Sequence, residues 1–100
     1  IENSDEVIGI NTREDLAKTN SIKYLENTSI HMKNGVTIID PKSTFIDSDV
    51  TINEDTIIYP FCILKGKTKI GKNCIINSFC EIENLEIKDN TTLDSKHSNF

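Results

Sequence analysis

No run of eighteen or more apolar residues occurs anywhere in the 100-residue chain, so no segment reads as a membrane-spanning helix. No short apolar leader with a basic front end is present either. The chain opens on Ile1 rather than methionine, and the expectation is a piece of a longer cytoplasmic protein. Basic residues are outnumbered: 11 Lys and Arg face 16 Asp and Glu, for a net charge of −5. That balance argues against a nucleic-acid or anionic-lipid surface, both of which need clustered cations. Lys65, Lys67, Lys69 and Lys72 do cluster, but without interleaved aromatic residues, and read as a solvated face. No Cys-x-x-Cys pair is present and neither His31 nor His97 lies at ligand spacing from a cysteine, so a zinc site is not expected.

What the chain does have is a beat of six. From Ile46 the sequence divides into IDSDVT, INEDTI, IYPFCI, LKGKTK, IGKNCI and INSFCE. Ile82 then opens a five-residue step before Ile87 and Leu93 resume. Seven successive sixth positions, 46 to 82, are Ile or Leu, although those two types make up only 22 of 100 residues. The chance of that is on the order of 10⁻⁵ before choice of phase, which sets the period apart from noise. The fifth place of each unit is restricted too: Val50, Thr56, Cys62, Thr68, Cys74, Cys80 and Thr91.

One bulky and one compact inward residue per short strand is what fills a narrow three-sided prism. A single turn cannot bury its own apolar face, so turns must stack. The pattern therefore predicts a parallel β-helix of hexapeptide repeats. An Ile-rich helix or an ordinary β-sandwich would not select a period of six. All three cysteines fall on the compact inward place, and we expect free thiols in a reducing compartment. Cys62 and Cys80, stacked one turn apart at about 4.8 Å between backbones, would lie side by side in poor disulfide geometry.

Residues eighteen apart should form columns. On that count Ile39, Ile57 and Ile75 make one outward column, Phe45 and Ile63 another that ends in Glu81, and Phe61 and Phe79 stack beside the second. The third side, with Thr51 and Lys69, is polar. Solvent does not favour ladders of exposed Ile and Phe. We therefore expect self-association as a homotrimer through Ile57, Phe61, Ile63, Ile75 and Phe79, with cover from a docked helix as the competing explanation.

Ahead of the repeats, residues 14–33 read as a helix. Thr12 with Asp15 gives a capping start and Asn34–Gly35 a left-handed stop. Ile22, Leu25 and Met32 share one thin apolar face, so the helix should lie against something else or bridge two domains. His31, near the helix end, would suit the dipole if charged. Asp40–Pro41 breaks the helical pattern, and proline tolerates the unpaired edge of a first turn.

The segment GINTR at 9–13, a helix, then HMKNGVTIIDP at 31–41 and the hexapeptides together resemble the GlmU family, the bifunctional N-acetylglucosamine-1-phosphate uridyltransferase and glucosamine-1-phosphate acetyltransferase. The likeness covers nearly the whole chain, and HMKNGVTIIDP followed by FIDSDV is its specific part. It implies that residues 1–13 are the tail of a nucleotidyltransferase domain, 14–34 a linker helix and 35–100 the start of a left-handed β-helix. The hand comes from the resemblance alone, since strand crossovers are ordinarily right-handed.

The resemblance also implies that Asn11 helps complete a Mg²⁺ site and contacts the sugar nucleotide. An amide oxygen is a suitable hard neutral ligand for that ion. On residues alone Asn11 reads as a cap of the helix; the resemblance turns that toward the ligand role, since Thr12 is free to cap instead. Acetyl-CoA, sugar phosphates and UTP would be substrates of the parent enzyme. The glycine-rich nucleotide loop and an acetyltransferase histidine are not among these residues, so the piece by itself is expected to be an inactive connector and trimerisation scaffold. Two alternatives stand: the β-helix of another sugar-phosphate nucleotidyltransferase lacking acetyltransferase activity, and a non-catalytic structural β-helix. An ice-binding solenoid would need a flat Thr-x-Thr array that is not present. A γ-type carbonic anhydrase would need three histidines where the chain has two.

Overall fold

A computed structural model describes residues 12–95. Helix α1 (Arg13–Lys33) is followed by ten two- or three-residue strands: β1 (Thr37–Ile38), β2 (Phe45–Ile46), β3 (Thr51–Ile52), β4 (Ile57–Ile58), β5 (Ile63–Lys65), β6 (Lys69–Ile70), β7 (Ile75–Ile76), β8 (Glu81–Glu83), β9 (Glu86–Ile87) and β10 (Thr92–Leu93). They form three parallel sheets in the orders β1-β4-β7-β10, β2-β5-β8 and β3-β6-β9. This is a left-handed parallel β-helix of about three turns, built from hexapeptide repeats and preceded by one helix.

The inward places are those the period of six marks. Ile46, Ile58, Leu64, Ile76 and Ile82 have no exposed surface, and Ile70 has 1%. Between them sit the compact residues: Thr56, Cys62, Thr68 and Cys74 are fully enclosed, with Cys80 at 1% and Val50 at 4%. The three cysteines are free and buried. Burial raises the Cys62 thiol and pushes Cys80 up to about 11, so neither is poised to react.

Corners turn through left-handed backbone. Gly35 (φ 92), Asp55 (φ 66), Asn73 (φ 57) and Asn90 (φ 63) stack on one corner, joined by backbone hydrogen bonds from turn to turn. Gly66 (φ 67) and Asn84 (φ 55) stand on a second. Gly, Asn and Asp are the residues that enter this region at least cost.

The turns are not all eighteen residues long. Thr37 pairs with Ile57, twenty places on, whereas Ile57 pairs with Ile75 at eighteen and Ile75 with Thr92 at seventeen. Ile39 is therefore not in the column of Ile57 and Ile75; Thr37 takes that place. The surplus is absorbed by a short 3₁₀ turn at Pro41–Ser43. There the Asp40 carboxylate accepts from Lys42 N at 3.3 Å and Ser43 Oγ at 2.9 Å. The five-residue step after Ile82 accounts for the seventeen-residue pairing of Lys69 with Glu86.

Helix α1 starts as its cap predicts, with Thr12 Oγ1 accepting from Asp15 N at 3.0 Å. It docks on the coil through a mostly polar face. Thr28 is fully buried, Asn27 Nδ2 donates to Ile46 O at 2.8 Å, and the Tyr24 ring meets Phe45 edge-on at 5.4 Å. Ile46 lies in β2, the first strand of its sheet, so Asn27 satisfies a carbonyl on an open edge. Ile22, Leu25 and Met32 stay largely exposed.

His31 is half-buried at the helix end, and burial holds its pKa below the ordinary 6.5. Burial disfavours the charged ring, which is opposite in sign to the dipole effect expected at a helix end. Because the unfolded chain takes the proton first, His31 favours folding above pH 6.5, and that contribution is lost as pH falls below it. Urea midpoints should drop between pH 7.5 and 5.5, and His31→Gln should flatten part of that slope. An unchanged slope in the variant would count against this assignment.

Candidate functional site: an aromatic corner between two apolar faces

The sheet containing β4 and β7 presents Ile57 and Ile75 outward as direct partners, with Thr37 above and Thr92 below. The neighbouring sheet presents Phe45, Ile63 and Glu81 in register. Phe61 and Phe79 stand on the corner that joins these two faces, their rings stacked at 5.3 Å and 12°. The apolar surface thus runs from one sheet around the corner to the next. Ile57 and Ile75 are half-buried, while Ile63, Phe61 and Phe79 keep 37%, 55% and 67% of their surface. At its lower border Glu81 is ion-paired to Lys65 at 2.6 Å.

The five residues expected at an interface are therefore brought together on one side of the coil. Helix α1 meets this region at its top, where Tyr24 packs on Phe45, and the two rings of the corner keep more than half of their surface exposed. Columns alone did not disclose the backbone under the two rings. Phe61 (φ 66) and Phe79 (φ 67) adopt the left-handed conformation that Asp, Asn and Gly hold at the other corners. A bulky aromatic residue there is a genuine outlier. Strain kept twice in succession, under exposed rings, points to a role outside the fold itself. The signal was in the sequence: Phe61 and Phe79 occupy the fourth place of their hexapeptides, as Asp55 and Asn73 do.

Asn11, the residue assigned to Mg²⁺ and substrate by resemblance, lies outside the described residues. Among the described residues, no group of three or more His, Cys, Asp or Glu is arranged to hold a metal ion. They do not by themselves fit a Mg²⁺ site, and no chemical step is assigned to them. Among the described residues no helix is long and apolar enough to cross a membrane.

Residues 49–84 match the bacterial transferase hexapeptide (six repeats) family. Over 98 residues the chain is 48% identical to the bifunctional protein GlmU of Clostridioides difficile, covering 92% of this chain and 21% of that protein. It is 44% identical over 93 residues to the bifunctional protein GlmU of Clostridium novyi, covering 93% of this chain and 20% of that relative. For the bifunctional protein GlmU of Geobacillus thermodenitrificans the identity is 47% over 94 residues, covering 94% of this chain and 20% of the relative. The chain spans about a fifth of the length of these curated relatives. On its repeats, its three-sided coil and this likeness, the chain belongs with the hexapeptide-repeat proteins of the GlmU kind, of which it represents one segment.

Proposed function

We propose that this chain is the connector and trimerisation scaffold of an enzyme that makes UDP-N-acetylglucosamine, by acetyl transfer to glucosamine-1-phosphate and then uridylyl transfer from UTP. The observation that carries the proposal is the identity to bifunctional GlmU proteins across more than nine-tenths of the chain. On this reading residues 1–13 end a nucleotidyltransferase domain, 14–34 link it to the coil and 35–100 begin the acetyltransferase β-helix. Asn11 would supply a ligand to Mg²⁺ and a contact to the sugar nucleotide, the ion serving to neutralise phosphate charge when bound. The reading places the protein in the cytoplasm, and the three free thiols support a reducing compartment. On this reading the segment has no turnover of its own, and both transfer centres belong to the longer protein. A direct test assays the longer protein that contains this segment for thiol release from acetyl-CoA with glucosamine-1-phosphate, and for pyrophosphate release from UTP. Failure of both would overturn the assignment.

The scaffold role rests on the contiguous apolar surface made by Ile57, Phe61, Ile63, Ile75 and Phe79. Three copies meeting there would remove the exposed rings from water and make the left-handed strain at Phe61 and Phe79 worth keeping. Sedimentation of the chain at micromolar concentration should give a trimer, and Ile75→Glu or Phe79→Glu a monomer. A second pair of variants separates association from folding. Phe61→Asn and Phe79→Asn should each stabilise the monomer by about 1 kcal/mol through relief of strain, while weakening the trimer. A parent chain that sediments as a monomer would contradict the scaffold role.

A further inference from the structure

The charges on the coil are sorted by turn. The turn from Phe45 to Cys62 carries Asp47, Asp49, Glu54 and Asp55 and no base. The next, Ile63 to Cys80, carries Lys65, Lys67, Lys69 and Lys72 and no acid. The third, from Glu81 to Ser95, carries Glu81, Glu83, Glu86, Asp89 and Asp94 against the single Lys88. A basic belt thus lies between two acidic ones.

Register places the opposite charges together. Lys65 is the direct strand partner of Glu83 and is ion-paired to Glu81 at 2.6 Å. Glu81, Glu83 and Asp47 all hold the Lys65 ammonium above its ordinary range, the hydrogen bond to Glu81 most strongly. Asp47 and Glu83 thus act on it from the turns on either side. Lys69 is the strand partner of Glu86. Lys72 N donates to Asp89 Oδ1 at 2.8 Å, while the next residue, Asn73, bonds to Glu54 O in the turn before.

Distance decides which interactions count. Neighbouring turns are about 4.8 Å apart, inside the Debye length of about 8 Å at physiological salt. Turns two apart are separated by about 9.6 Å, so repulsion between the two acidic belts is screened more than either attraction. We propose that this alternation is a stacking code: it fixes which turn lies on which, in a coil whose nearly interchangeable inward residues would otherwise allow a turn to be skipped. Ile46, Leu64 and Ile82 all fill the same inward place, so the apolar shaft distinguishes the turns poorly. Placing the first turn directly on the third would set acid against acid. Lys65 is held by carboxylates from both neighbouring turns.

The test is a charge-reversal series on the chain. Lys65→Glu with Lys69→Glu should lower Tm by about 5 °C more than Lys65→Gln with Lys69→Gln. Adding Glu83→Lys and Glu86→Lys to the Glu variant should recover at least half of that difference. In 1 M NaCl, where the Debye length is about 3 Å, the gap between the Glu and Gln variants should close. Equal melting of the two pairs in low salt would overturn the proposal, as would a reversed set that melts lower still.

Discussion

Leu64→Ala should lower the stability of the coil by about 3–4 kcal/mol, and its Tm by more than about 12 °C. Leu64 has no exposed surface and lies in the middle strand of its sheet, with Ile46 in the turn before and Ile82 in the turn after, both equally enclosed. The backbone ladders on either side hold those turns at a fixed spacing, so the space left by the missing methyl groups cannot collapse. The loss is also topological. In a stack where each turn touches only its neighbours, a weakened middle turn loosens both contacts at once. Small domains are stable by only about 5–15 kcal/mol, so this is a large fraction of the whole. Ile22→Ala, on the exposed face of α1 at 60% accessibility, should cost under about 0.5 kcal/mol. Urea unfolding followed by circular dichroism measures both; similar losses in the two variants would mean that the triangular shaft is not the core.

Thr56→Val should cost about 2 kcal/mol with no change in shape. The Thr56 hydroxyl is fully buried, donates to Gly71 O at 2.7 Å and accepts from Cys74 N at 3.1 Å. Both partners lie in the following turn, so one side chain links two layers. Valine would leave a carbonyl and an amide enclosed without that partner, which costs more than a hydrogen bond contributes. Thr68 is the comparison: it is as deeply buried, but its hydroxyl donates to Lys65 O at 2.8 Å within its own turn. Thr68→Val should therefore cost about 1 kcal/mol, roughly half as much. A Thr56→Val protein that unfolds at the parent's urea midpoint would show that the hydroxyl carries no stability.

The inward residues could be read from the sequence because a prism three short strands wide admits one bulky and one compact side chain per edge. Ile46 through Ile82 declare that constraint whatever surrounds them. The first turn could not be measured in advance. Its two extra residues are taken up by hydrogen bonds around Asp40, which leave no mark on the apolar pattern, and Ile39 was displaced from its column as a result. Docking of the helix was hidden for another reason. Aliphatic spacing pointed to Ile22, Leu25 and Met32, whereas the open edge of β2 needs a donor for a carbonyl, and Asn27 provides it. The apolar surface around the Phe61–Phe79 corner was legible as a set of columns, but the unusual backbone of those two residues becomes visible only when they are compared with the Asn and Asp corners.

Every strand pairs with one seventeen to twenty residues away, and always in the same direction. Closing a loop of that size carries nearly the same entropy each time, so assembly can advance by equal steps once a first layer exists. Helix α1, with Asn27 set against the opening strand, is the natural starting platform, and it leaves the ribosome before any repeat does. Growth should then run from the amino-terminal end like a zip. Ile46→Val should slow refolding, whereas Ile82→Val should mainly hasten unfolding, a contrast that stopped-flow chevrons would reveal.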